Sequence, residues 1–236
     1  SMLVLNAGVA TQFPTSLTVD GVESTFQANF LGHFLLASRL LPLLQRTGTA
    51  KAPARIVHLT SGAHRGAPTT GVPLGVDQIN GPMGAYARYG MAKLASLAFS
   101  NEIARRQPAK SPRVLSNAVH PGVVATDLLR ASNFARMLGL GVGHVAWLAA
   151  KLRNLLFAYS ARTAALSVLY AAAAPELISP KQKRRSGGAT AAPTTPTTGG
   201  LFVPVATRWP PAHSMADDPA FGKALWEFSE GVVRRA

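Results

Sequence analysis

Three short apolar runs, each closed by a turn of small or polar residues, constrain this chain more than any other feature. Leu3, Val4 and Leu5 stop at Asn6-Ala7-Gly8, "ARIVHLTS" (Ala54 to Ser61) ends in Gly62, and "VLSNAVHPG" (Val114 to Gly122) closes on Pro121-Gly122. An apolar run with no polar alternation, ended by a turn, reads as a strand buried on both faces of a parallel sheet. Between these runs lie stretches of a different period. Val22 to Gln45 carries Phe26, Phe30, Phe34, Leu41 and Leu44 at helical spacing. A Gly- and Pro-rich connection, Arg65 to Gly84, leads to a second long helix, Ala85 to Arg106, which Pro108 and Pro112 end. Helical stretches then run to Ala174, "GLFVPV" (Gly200 to Val205) is a last strand, and Asp217 to Arg235 is a C-terminal helix. Strands alternating with long helices predict an α/β architecture, a doubly wound parallel sheet with helices on both faces. At 236 residues the chain suits one domain with a sizeable core.

One stretch falls outside the alternation. Lys181 to Gly200, "KQKRRSGGATAAPTTPTTGG", is basic and then low in complexity, the composition of a disordered insertion within the domain. The net charge of +14 would suit nucleic acid, an anionic membrane or an anionic cofactor. Its one concentration, Arg130 to Arg185, has nine Lys or Arg against the single acid Glu176. No basic helix interleaved with aromatics accompanies it, so a nucleic-acid partner is not expected. The absence of cysteine removes thiolate chemistry and disulfides and sits with a reducing, cytoplasmic setting. His33, His58, His64, His120, His144 and His213 show no ligand spacing, so no metal site is expected.

The chemistry concentrates where the strands end. Tyr89 and Lys93 are four apart in "YARYGMAK" and share a helix face, and an ammonium beside a phenol lowers the phenol's pKa. Such a pair alone is common, and Tyr86 is a rival for the same role. Ser61, Pro121-Gly122 and Asn6-Ala7-Gly8 stand at the C-terminal ends of three predicted strands. In open parallel sheets, ligands bind outside those ends, so the pair gains the surroundings of a cofactor crevice.

The ordered set "NAG", "QANFLGHFLL", "RIVHLTSGAH", "YGMAK" and "NAVHPGVVATDL" resembles the short-chain dehydrogenase/reductase family. The similarity is greatest to its retinol-dehydrogenase-like branch, and "GLFVPV" with "DDPAFGKALWEFSE" is similar to the end of fungal members. The resemblance implies a Rossmann-like fold and hydride transfer between NAD(P)(H) and a carbonyl or alcohol, with NADP(H) ahead of NAD(H). It makes Tyr89 the proton donor/acceptor and Lys93 the group that lowers its pKa and binds the nicotinamide ribose. It makes Ser61 the hydroxyl that orients the substrate oxygen, and Asn29 the holder of a relay water. Asn6, Ala7 and Gly8 would pack against the adenosine side, and Pro121, Gly122, Val123 and Thr126 would bind the carboxamide. It also implies a small lipophilic substrate and a homodimer. The apolar stripe Trp147, Leu148, Leu152, Leu155 and Leu156 matches the family's substrate lid, and peripheral membrane contact or core packing would give the same pattern.

The family's Gly-rich pyrophosphate turn has no counterpart here. The expectation is therefore a partial domain that begins near the family's fourth strand, with residues 3–5 at an open sheet edge. Two functions stay open on that reading. One is an oxidoreductase; the other is an inactive product that binds a partner through the exposed edge.

Overall fold

The computed structural model describes residues 1–9, 16–124, 158–178 and 196–235. Strand β1 (Met2–Leu5) is followed by a helical run, α1, made of Ser24–Phe26, a π turn Gln27–Leu31 and Gly32–Thr47. Then come β2 (Ala54–Leu59), a 3₁₀ turn (Gly62–Gly66), α2 (Val76–Asn80), α3 (Ala85–Arg105) and β3 (Val114–Val119). After them stand α4 (Ala161–Ala173), β4 (Leu201–Val203), β5 (Thr207–Trp209) and α5 (Pro219–Val233). The sheet order is β1-β2-β3-β4-β5. The first four strands are parallel, with Leu3 opposite Ile56 and Val57 opposite Asn117, and β5 returns antiparallel to β4. Among the described residues β1 is an edge strand, as expected, and its Met2 is 63% exposed.

Both faces of the sheet are covered. Every residue of β2 and β3 is buried, and alternate positions serve opposite cores. Ile56, Val114 and Ala118 face α1, α3 and α5, whereas Val57, Leu59, Leu115 and Val119 pack against Ala171 and Ala172 of α4. That two-sided burial explains the unbroken apolar runs. The charged Arg55 inside β2 also has a cause. Its guanidinium donates to the carbonyls of Ala171 and Ala174 (3.3 and 2.9 Å), a cation on the C-terminal end of α4. The larger core centres on rings: Phe34 lies 4.9 Å from Phe99 and 5.4 Å from Trp226 of α5, centroid to centroid.

The structure departs from the expected elements at several points. The predicted first helix begins two residues late, because the Glu23 carboxylate accepts from the Thr25 and Phe26 amides as an N-cap. The connection between Ser61 and Tyr89 contains α2, held to α3 by Arg88, which donates to the carbonyls of Ile79, Gly81 and Met83. Strand β5 is an addition, since its residues are exposed and offer no apolar run to read. The segment expected to be disordered, Lys181 to Gly200, is described only at 196–200. There it is tied to β3: Gly199 N donates to Ser116 O (2.8 Å) and Thr198 Oγ1 accepts from Ser116 N (3.0 Å). The apolar stripe at 147–156 lies outside the described residues. No helix among them is long and apolar enough to cross a membrane.

Candidate active site

The sheet delivers the strand-end residues to one place. Asn6, Ala7 and Gly8 after β1, Ser61 after β2, and Pro121, Gly122 and Val123 after β3 all line one cavity of about 830 Å³. Tyr89 and Lys93 of α3 stand in its wall. The volume is that of a small-molecule or cofactor site. Asn29 lies behind this wall, fully buried, and Thr126 lies outside the described residues.

Ser61 caps the 3₁₀ turn, its hydroxyl accepting from the Ala63 amide at 3.2 Å. The same hydroxyl is hydrogen-bonded to the Tyr89 phenol, a contact that pulls the phenol's pKa down. Burial outweighs it and leaves Tyr89 above the ordinary tyrosine value. In this arrangement it is burial that sets the direction of the phenol's pKa. Lys93 Nζ donates to the Leu59 carbonyl at 3.0 Å and sits 5.6 Å from the Tyr89 ring centroid. Burial pushes Lys93 itself down to about 8, so it still carries its charge at neutral pH. Thr60 steadies this end of the helix by donating to the Lys93 carbonyl at 2.8 Å.

Asn29 falls in the π turn, where the Gly32 amide reaches back to the Gln27 carbonyl. Such wide turns often mark functional places in helices. The Asn29 amide clasps Val9 in both directions, accepting from its N–H (2.7 Å) and donating to its carbonyl (2.9 Å). The turn after β1 is therefore fastened to α1. Gly8 is required there, since a Cβ would lie 2.9 Å from Asn29 Oδ1 and 3.5 Å from Lys93 Nζ. Ser96 on α3 donates to the Asn29 carbonyl (3.3 Å), which ties the two helices behind the cavity.

Of the two tyrosines, Tyr89 holds the Ser61 contact. Tyr86 lines the same cavity and lies over Gly66, where a Cβ would come within 2.2 Å of the ring. Several lining residues gave no sequence signal. Ala161, Ala164, Ala165 and Val168 of α4 close one side, and apolar helix residues look alike whether they face a core or a cavity. His120, one of the histidines without ligand spacing, also lines the cavity. Its Nδ1 is buried without a partner among the described residues, and burial, aided by His64 and Arg65, pushes the ring down to about 4. His58 is satisfied, with Nε2 3.1 Å from Ser116 Oγ.

No family model matches the chain. Polyprenol dehydrogenase from Mus musculus is 36% identical over 176 residues, 75% of this chain and 48% of that protein. Short-chain dehydrogenase TIC 32 A, chloroplastic, from Brassica napus is 37% identical over 145 residues, 60% of this chain and 43% of that protein. The crystal structure of an uncharacterized protein from Mycobacterium paratuberculosis superposes with a TM-score of 0.59 at 25% identity, covering 99% of this chain and 67% of that one. The chain spans about half the length of the curated relatives it matches. Over the part of those relatives that it spans, it belongs to the short-chain dehydrogenase/reductase family.

Proposed function

We propose that this chain carries the catalytic half of an oxidoreductase that moves a hydride between a nicotinamide dinucleotide and a carbonyl or alcohol. The observation that supports it most is the meeting of Ser61, Tyr89 and Lys93 on the wall of one cavity. Because burial keeps the phenol protonated, Tyr89 is suited to donate a proton to a carbonyl oxygen that gains negative charge. Ser61 donates to that same oxygen and polarises it. The Lys93 ammonium, charged at neutral pH, stabilises the phenolate that is left. In the alcohol direction the same groups run in reverse, with Tyr89 as proton acceptor.

Whether the residues fit the dinucleotide is read from Lys93. Its ammonium has three donors, and among the described residues Leu59 O is its protein acceptor. The remaining donors are available to hydroxyls that enter the cavity it lines. When bound, the nicotinamide supplies or takes the hydride. Asn6, Ala7, Gly8 and Lys93 would hold one part of it, and Pro121, Gly122 and Val123, with Thr126, the carboxamide. We favour NADP(H) over NAD(H) on the resemblance alone.

Among the described residues Lys93 is the one lining residue with a formal charge, and Ala161, Ala164 and Val168 supply an apolar side. That lining favours a neutral lipophilic substrate, in keeping with a relative whose name is polyprenol dehydrogenase. The long connection between Ser61 and Tyr89 favours the retinol-dehydrogenase-like branch. The resemblance carries with it a homodimer and cytoplasmic work at or near a membrane surface.

The test is a melting curve of the purified chain with and without NADPH or NADH. Cofactor at a hundred times its dissociation constant is expected to add about 2.7 kcal/mol, a shift of several degrees. A cooperative transition indifferent to both cofactors overturns the reading for this chain.

A further inference from the structure

We propose that His64 is a positioning residue, which fastens the loop that carries Ser61 to the C-terminal segment at residues 212–215. The inference rests on the role given to Ser61 above. His64 is 2% exposed, and both ring nitrogens are engaged. Nδ1 lies 2.7 Å from the Ser61 carbonyl, and the Ala212 amide donates to Nε2 at 3.3 Å. A backbone amide only donates and a carbonyl only accepts, so the proton sits on Nδ1 and the ring is neutral. His213 is set the opposite way. Its Nδ1 accepts from the Met215 amide (3.3 Å), which leaves Nε2 to donate to the Pro68 carbonyl at 3.0 Å.

Two imidazoles of opposite tautomer therefore bolt residues 61–68 to residues 212–215. That second segment is itself fixed to α3, because Asn101 Nδ2 donates to the Ala216 carbonyl (2.9 Å) and to Asp217 Oδ1 (2.6 Å). Tyr89 and Asn101 belong to the same helix. The route Ser61, His64, residues 212–217, Asn101 thus closes back on the element that carries the phenol. The close approach at Gly90, where an added Cβ would lie 2.4 Å from the Ala63 carbonyl, places the turn against α3, while His64 sets the Ser61 carbonyl, and with it the direction of the hydroxyl.

The test uses the whole chain with ¹⁵N-labelled imidazoles, and follows the Tyr89 phenol by near-ultraviolet absorbance against a Tyr89→Phe blank. In the unsubstituted protein at neutral pH, His64 is expected with its proton on Nδ1 and His213 with its proton on Nε2. Ser61→Ala removes the hydroxyl that holds the phenol's pKa down and calibrates the full rise of the Tyr89 midpoint. His64→Leu is expected to raise that midpoint by roughly half a unit or more, whereas His64→Asn, which keeps a donor for the Ser61 carbonyl, stays near the unsubstituted value. A folded His64→Leu with an unmoved midpoint overturns the proposal. So does a His64 proton on Nε2, or a His64→Asn midpoint displaced as far as that of Ser61→Ala. If His64→Leu does not fold, the tautomer and His64→Asn decide. None of these readings needs turnover, so a shifting phenol in a chain that reduces nothing would overturn the reaction and keep the positioning role.

Discussion

At the scale of single residues, the site is a set of groups made reactive by burial. Tyr89 is held up and Lys93 is held down to about 8 by the same cause, loss of water, acting on charges of opposite sign. Tyr89→Phe removes the proton and is expected to lower turnover by about a hundredfold or more, with the melting curve unchanged. Lys93 yields a prediction about stability as well. Its pKa is 10.5 when exposed and about 8 when folded, so between those values the unfolded chain binds the extra proton. Stability therefore rises as pH rises through that window, by about 3 kcal/mol in all for a group so deeply buried. Tyr89 opposes the rise only above pH 10, where the unfolded phenol ionises first. Thermal melts between pH 8 and 10 should show the slope in the unsubstituted chain and its loss in Lys93→Met. An equal slope in both would assign it to other groups.

Elements meet at the site through close backbone contact. Helix α3 lies against the 3₁₀ turn after Ser61 at Gly90, where a Cβ would stand 2.4 Å from the Ala63 carbonyl and 3.0 Å from the Ala67 amide. Both neighbours are backbone, so neither rotates away. Gly90→Ala is expected to push the turn off the helix at a cost of about 1–3 kcal/mol. Because the displaced turn carries Ser61, turnover should fall further than stability. Comparing the loss of kcat with the shift of the urea midpoint checks this; a stable, fully active Gly90→Ala would show that the approach is not needed. The π turn has a similar part on the other side, where it brings the Asn29 amide to Val9 and closes the turn after β1.

At the scale of the whole molecule, a net charge of +14 makes added protons unwelcome. Two histidines, the buried His58 and the half-buried His120, sharpen this. Burial holds His58 down to about 3 and His120 to about 4, against 6.5 when unfolded. Below pH 6.5 the unfolded chain takes up protons that the folded chain refuses, so stability falls as pH falls toward 4. The slope approaches about 2.7 kcal/mol per pH unit where both rings differ in protonation. Melting temperatures from pH 7 to 5 are expected to drop accordingly, and a flat profile would mean that these rings accept protons while folded.

How much of this was legible in the residue order follows from what local pattern encodes. The apolar runs at 54–59 and 114–119 announce strands because two-sided burial leaves no polar alternation, and the order of strand ends places Asn6, Ser61 and Pro121 at one edge without any coordinates. Helices α1, α3 and α5 were equally open to periodicity. What local pattern lacks is partnership across distance. Nothing near Glu23 in sequence says that it caps α1, and nothing near His64 says that Ala212 lies 148 residues away on its ring. The proximity of Lys93 to Tyr89 was legible as a helix turn. The direction of the phenol's pKa was not, because it depends on how much water the surrounding elements exclude. The chain's order thus determined which groups arrive at the cavity, by strand direction and helical period. Only the packed structure decided their protonation, because burial and hydrogen-bond partners are properties of many segments meeting at once.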